Sequence, residues 1–298
     1  MNMLHSTRAI TCLAASLFLT SVTARAGDFE TTFRKEVSAF LNGLDESQSK
    51  ACLYPVTDKN RWQMQFTGGK RPGILISKLS ETQRAQLDKT LRLVLSAEGL
   101  KLAEAVAKQD TPDGIGKYWI TCYGDPRKKE NFAFRIAEHH LTVVHLEVAE
   151  GETKEFGPIL LGSDPALVWQ EDEKRMIEAW KKIADKKLLI KGKRGVSSAP
   201  MNETDGVAFT SINAAGQQAL KEVWNHRLRI FTQPIQDRIN RLHKARGGWE
   251  KSRVAFYNQE PEKLCIDGGR WDFKCGLPGM VWDLENSRGH IHLSLWVK

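Results

Sequence analysis

The chain has 298 residues, and its 44 Lys and Arg outnumber its 36 Asp and Glu to give a formal net charge of +8. Hydrophobic residues are 41% and charged residues 27%. That balance excludes a disordered, fibrous or multi-span membrane protein.

The first 26 residues read as a secretory signal. Arg8 supplies a positive start, residues 9–22 (AITCLAASLFLTSV) are apolar and uncharged, and Ala24-Arg25-Ala26 is a small-x-small cleavage site. The expected mature chain, 27–298, loses Arg8 and Arg25 but no acid, which leaves a net charge of +6. It is expected in the periplasm or outside the cell, with no stable membrane span after cleavage. Export also turns the odd set of five Cys into four: Cys52, Cys122, Cys265 and Cys275. An even set in an oxidising compartment suggests two disulfides. Of the three pairings, Cys265–Cys275 and Cys52–Cys122 are favoured.

Along the mature chain, apolar spacing predicts a helix over 29–44 and alternation predicts a strand over 61–66. Ser80 and Gln83 form a capping-box pattern that opens a helix running to 107, weakened at Gly99. Strands follow over 117–123, 132–148 and 157–162. A charged amphipathic helix spans 171–187, residues 191–200 read as a loop or linker, and helices cover 214–224 and 235–245. The chain ends in strands over 253–257, 270–275, 281–285 and 290–297. No internal repeat is evident. Helices and strands are grouped rather than alternating, which predicts one α+β domain with a mainly antiparallel sheet and helices packed on it.

Histidine carries the main chemical signal. Glu138-His139-His140 and His290-Ile291-His292 both fall in predicted strands. Residues two apart on a strand share a face, so His290 and His292 point together and can grip one ion. The same rule puts His139 and His140 on opposite faces, so one of them, with His140 preferred, is expected to complete a three-imidazole site. His145 lies roughly 20 Å along the strand from His139 and is not expected to reach it. Neutral imidazoles suit Zn, Cu or Fe. Asp283 or Glu285 could add a ligand or a base, Glu138 is a second candidate base, and Arg135 is a candidate for orienting an anionic substrate group.

Other signals point elsewhere. The basic runs at 181–194 and 227–246 read as solvated helix faces, and export argues against a nucleic-acid partner. The Gly68–Gly73 loop lacks phosphate-loop spacing, and no GxSxG or HExxH motif occurs. The nine Trp are scattered, as core residues are.

Several segments resemble the domain of unknown function 3500 family, an uncharacterised, mainly bacterial group with secreted-type members. They are RPGILISKLSETQRAQ (71–86), YWITCYGDP (118–126), RIAEHHL (135–141), PILLGSDPA (158–166) and WDLENSRGHIH (282–292). The resemblance implies that His139, His140, His290 and His292 are the family's His-His and His-x-His elements, and that they meet in space. It implies no particular activity. The expectation is an exported protein with a His-lined metal site, acting as a metal-dependent hydrolase or oxidase on an unknown small-molecule or envelope ligand. The alternative is a non-catalytic envelope binding protein whose His residues brace the sheet.

Overall fold

A computed structural model describes residues 20–64, 67–149, 153–184, 190–191, 201 and 205–298. Most of the expected signal segment, residues 1–19, and nearly all of the expected linker, residues 192–200, lie outside these residues. Helix α1 (Thr20–Asn42) runs through the expected cleavage site. No helix among the described residues is long and apolar enough to cross a membrane.

In chain order α1 is followed by α2 (Glu46–Cys52), β1 (Leu53–Tyr54), β2 (Ile74–Leu75), α3 (Glu81–Val94) and α4 (Ala97–Asp110). Next come β3 (Trp119–Tyr123), β4 (Phe132–Ala137), β5 (Leu141–Glu147), β6 (Phe156–Ser163) and α5 (Gln170–Lys182). The remainder is β7 (Ile190–Lys191), β8 (Val207–Ala208), α6 (Ala214–Leu228), α7 (Gln233–Ala245), α8 (Gly248–Lys251), β9 (Arg253–Tyr257), β10 (Asp272–Leu277), β11 (Met280–Ser287) and β12 (His290–Val297). The fold is α+β in one body, built on a mostly antiparallel sheet as expected.

Three local expectations need correction. Of the strand predicted over 61–66, residues 61–62 instead belong to a 3-10 turn, Lys59–Trp62, capped by the Asp58 carboxylate on the Asn60 amide, and residues 65–66 lie outside the described residues. The long helix over 80–107 breaks at Leu95-Ser96 rather than bending at Gly99, because the Ser96 hydroxyl accepts from the Gly99 amide and caps a new helix. The strand over 132–148 is two strands, separated by a turn at 138–140.

The sheet order is β1-β3-β4-β5-β6-β12-β11-β10-β9-β7, with β2 added to β3 and β8 added to β9. This order is palindromic. Both outer strands, β1 and β7, run parallel to their neighbours, while the central β6–β12 pair is antiparallel. The helical layer repeats the symmetry. Ser96 N donates to Ile230 O at 2.9 Å, and Thr232 N donates to Val94 O at 3.0 Å. The Ser96 hydroxyl donates to Arg229 O at 2.6 Å, and the Thr232 hydroxyl to Leu93 O at 2.7 Å. Gly73 and Gly206 also correspond. Each has a positive φ, and each backs onto a paired carbonyl, of Ile120 and Val254, where a Cβ would approach to 2.2 and 2.1 Å. The chain therefore has two halves related by a pseudo-twofold axis, a repeat that the sequence pattern does not display. The halves share hydrogen-bond geometry and few side chains.

One sheet face and the helices enclose a continuous apolar core that includes Phe33, Phe40, Trp169, Trp180, Phe209, Trp224, Phe256, Trp271, Phe273 and Trp282. The Trp residues at these positions are core, as expected. His145 is buried there too, between Phe29 and Phe33, and bonds Glu147 at 2.6 Å. It takes no part in the His cluster.

The four cysteines are buried free thiols, so neither expected disulfide is present among the described residues. Cys265 precedes β10, and its thiol donates to the His290 carbonyl at 3.4 Å. Cys275 lies within β10, opposite Val254 and Trp282. Cys52 and Cys122 are neighbours through the Leu53–Cys122 pairing, yet their thiols turn to different carbonyls, Ile120 and Gly124. Burial pushes the thiols of Cys52 and Cys275 up to about 12. They act as small apolar groups.

Glu173, in the first turn of α5, is fully buried, and its carboxylate accepts from the Cys265 amide at 2.9 Å. Burial raises its pKa from 4.5 to about 7, against the bond from Cys265. A carboxyl raised in the folded state costs no stability below its unfolded pKa. The cost develops as pH rises from about 4.5 to 7 and persists above that, at most about 3 kcal/mol. Glu173→Gln is expected to be more stable than the wild type at pH 8 and equal to it near pH 4.5. Urea unfolding at the two pH values checks this, and equal differences at both would refute it.

Candidate metal centre

The site lies at one corner of the sheet, where three segments meet. The turn between β4 and β5 carries His139 and His140. The start of β12 carries His290 and His292. The end of β6 supplies Gly162, which pairs with His292 and donates its amide to the His140 carbonyl at 2.8 Å. One ring nitrogen from each of the four His lies within 4.8 Å of the others. The strand argument for His290 and His292 therefore holds. The opposite-face argument for His139 and His140 does not, because both sit in a turn, where strand alternation has no force. Both join the cluster.

The nitrogens are ordered. His140 Nε2 lies 2.8 Å from His290 Nε2, which lies 3.1 Å from His292 Nε2. The opposite nitrogens face carboxylates. His140 Nδ1 bonds Asp110 at the end of α4, His290 Nδ1 is 3.7 Å from Asp164, and His292 Nδ1 is 3.8 Å from Glu285. A carboxylate favours a proton on the Nδ1 that it faces. The three Nε2 atoms then present lone pairs to one another, which is unfavourable unless a cation lies between them. Burial and the neighbouring imidazoles hold His139 at a pKa of about 4 and lower that of His290 as well. These two imidazoles are thus held toward the neutral form that can ligate a metal.

Surrounding residues fix this geometry. A Cβ on Gly162 would come within 2.8 Å of Cδ2 of both His140 and His292, so only glycine lets the two rings rest on the β6 backbone. The Trp169 indole N–H donates to the Gly162 carbonyl at 2.7 Å. The Tyr118 hydroxyl donates to Asp110 at 3.2 Å, fixing the carboxylate behind His140. Tyr118, Gly162 and Asp164 lie in the family-like segments 118–126 and 158–166, but nothing there marked them as parts of a site, and Asp110 and Trp169 lie outside those segments.

The other candidate residues stand apart from the four His. Glu138 adjoins the turn, but its carboxylate pairs with buried Arg71 at 3.2 Å. The Arg135 guanidinium is buried and donates to the carbonyls of Asn60 and Gln63. Asp283 lies opposite Ser294, one same-face step from the Glu285–His292 pair, and accepts from the Ser294 hydroxyl at 2.6 Å.

The pseudo-twofold axis defines an equivalent corner, and that corner is not built for metal. Pro278-Gly279 forms the turn there, in place of His139-His140. Arg246, at the end of α7, takes the place of Asp110, and its guanidinium donates to the carbonyls of Lys154 at 2.6 Å and Lys298 at 2.8 Å. The His set is a property of one half-turn and one strand start, not of the repeated scaffold.

Residues 28–191, more than half of the chain, match the family described as protein of unknown function (DUF3500). The chain belongs to that family. The match takes in Asp110, His139, His140, Gly162 and Asp164, and it ends before the His290–His292 strand of the second half. No curated protein and no solved structure shows a match to the chain.

Proposed function

We propose that this DUF3500 protein is an exported metalloprotein whose centre holds a single Zn, Cu or Fe ion on His139, His140, His290 and His292, and that the ion serves hydrolysis or oxidation of a small-molecule or envelope ligand. One observation carries the reading. Three Nε2 atoms from two segments far apart in the chain stand in succession, 2.8 Å from His140 to His290 and 3.1 Å from His290 to His292, each with a carboxylate on the side of its far nitrogen. Carboxylate–histidine pairs of this kind orient imidazole ligands and raise their basicity. A bound Zn would lower the pKa of a coordinated water, and Cu or Fe would add electron transfer. Residues of this chain supply the rest: Asp110 sets the tautomer of His140, and Gly162 sets where two rings stand. Export rests on the apolar run at 9–22 and the Ala-x-Ala site.

Metal analysis of protein purified without a polyhistidine tag tests the centre. About one equivalent of a transition metal per chain is expected in the wild type, and none in the His290→Ala, His292→Ala double variant. A wild type that stays metal-free after reloading with Zn, Cu and Fe would falsify the reading and leave the His residues as braces of the sheet.

A further inference from the structure

The four imidazoles are not held alike, and the difference assigns roles among them. His140, His290 and His292 each have a carboxylate facing Nδ1. Their Nε2 atoms form one contiguous group. The rings of His140 and His292 also rest on Gly162. His139 has none of these supports. Its Nδ1 is buried with no hydrogen-bond partner. Its ring meets the cluster by lying tilted against His140, at 3.9 Å between centroids, and by edge contacts to His290 and His292 at 5.2 and 5.5 Å. The turn is anchored on either side of it. Glu138 is tied to Leu141 by its amide and to Arg71 by its carboxylate, and the His140 carbonyl is tied to Gly162. His139 is the one cluster residue with no carboxylate facing its ring, so it can rotate away without leaving such a partner.

On the metal-centre reading above, we infer that His139 is the exchangeable ligand. His140, His290 and His292 form a permanent three-imidazole platform, and His139 leaves the ion to open a position for water or a small anionic ligand. Catalytic centres differ from structural ones in keeping such a position. Here the position is closed at rest by a side chain rather than by solvent. The carboxylates behind the platform make its three ligands the stronger donors, so an incoming ligand displaces the fourth.

Cobalt(II) loaded into the full, untagged protein tests this, with azide as the probe ligand. His139→Ala is expected to keep one cobalt per chain with affinity within about tenfold of the wild type. His140→Ala, His290→Ala and His292→Ala are each expected to lose more than about a hundredfold, the upper range for disturbing a ligand shell. Azide should bind His139→Ala at a lower concentration than the wild type, and added imidazole should restore the wild-type visible spectrum. In the wild type, azide should displace the paramagnetically shifted proton signals of one imidazole, the set that is missing in His139→Ala. The displacement itself is read on the wild type, and His139→Ala serves only to assign the displaced signals. Loss of cobalt from His139→Ala as complete as from the other three would overturn the assignment. So would azide binding that is unaffected by removal of His139. A wild type that takes up no cobalt would instead remove the metal centre itself, which separates the two failures.

Discussion

Gly162→Ala is expected to weaken metal binding on the order of a hundredfold, although residue 162 bears no ligand atom. The added methyl carbon would stand 2.6 Å from the Ile291 carbonyl oxygen and 2.8 Å from Cδ2 of both His140 and His292. Real Cβ atoms do not approach so closely. The nearest clash is with the β12 backbone and the next two are with the rings, so the start of β12 and both rings must shift. Two of the three platform ligands then leave their positions together. Overpacking of this kind also costs about 1–3 kcal/mol of stability. Chelator competition measures the first effect and urea unfolding the second. Metal affinity equal to that of the wild type would show that the rings do not rest on this backbone in the functional state.

Asp110→Asn is expected to lower metal affinity about ten- to a hundredfold with little change in shape. The amide can still accept from Tyr118, so the helix end keeps its packing. It lacks the charge that holds a proton on His140 Nδ1 and raises the donor strength of Nε2. The pseudo-twofold axis supplies a control. Arg246→Asn alters the equivalent corner, which has no His, and should leave metal affinity unchanged while weakening the ties to Lys154 and Lys298. Equal affinities for Asp110→Asn and the wild type would show that the carboxylate does not tune the ligand.

Legibility in the sequence followed the range of the interaction concerned. The Ser80–Gln83 capping box and the amphipathic pattern of α5 are set by neighbours a few residues apart, and both formed, with α5 ending at Lys182. The His290–His292 pair was readable for the same reason, since a strand fixes the relation between residues two apart. The His139–His140 pair misled because its assignment depended on where one strand ends. That boundary is decided by the Glu138–Leu141 and Gly162–His140 hydrogen bonds, and the second of these reaches across to another strand. The cysteines misled because an even count in a chain read as exported speaks to compartment, whereas pairing depends on where each thiol is buried.

By itself the sequence determined the fold class, most of the elements, the family and the four imidazoles as the residues to watch. Tertiary structure alone decided the rest. It brought the two His elements to one corner, placed Asp110, Asp164 and Glu285 behind them, and left glycine beneath two rings. It also revealed a repeat preserved in backbone hydrogen bonds and largely erased from the side chains. The reason is physical. Local spacing encodes which way a residue faces within its own element, and backbone pairing can persist through almost any change of side chain. A metal centre depends on the meeting of elements, so its supporting residues need no spacing to one another and leave no pattern along the chain.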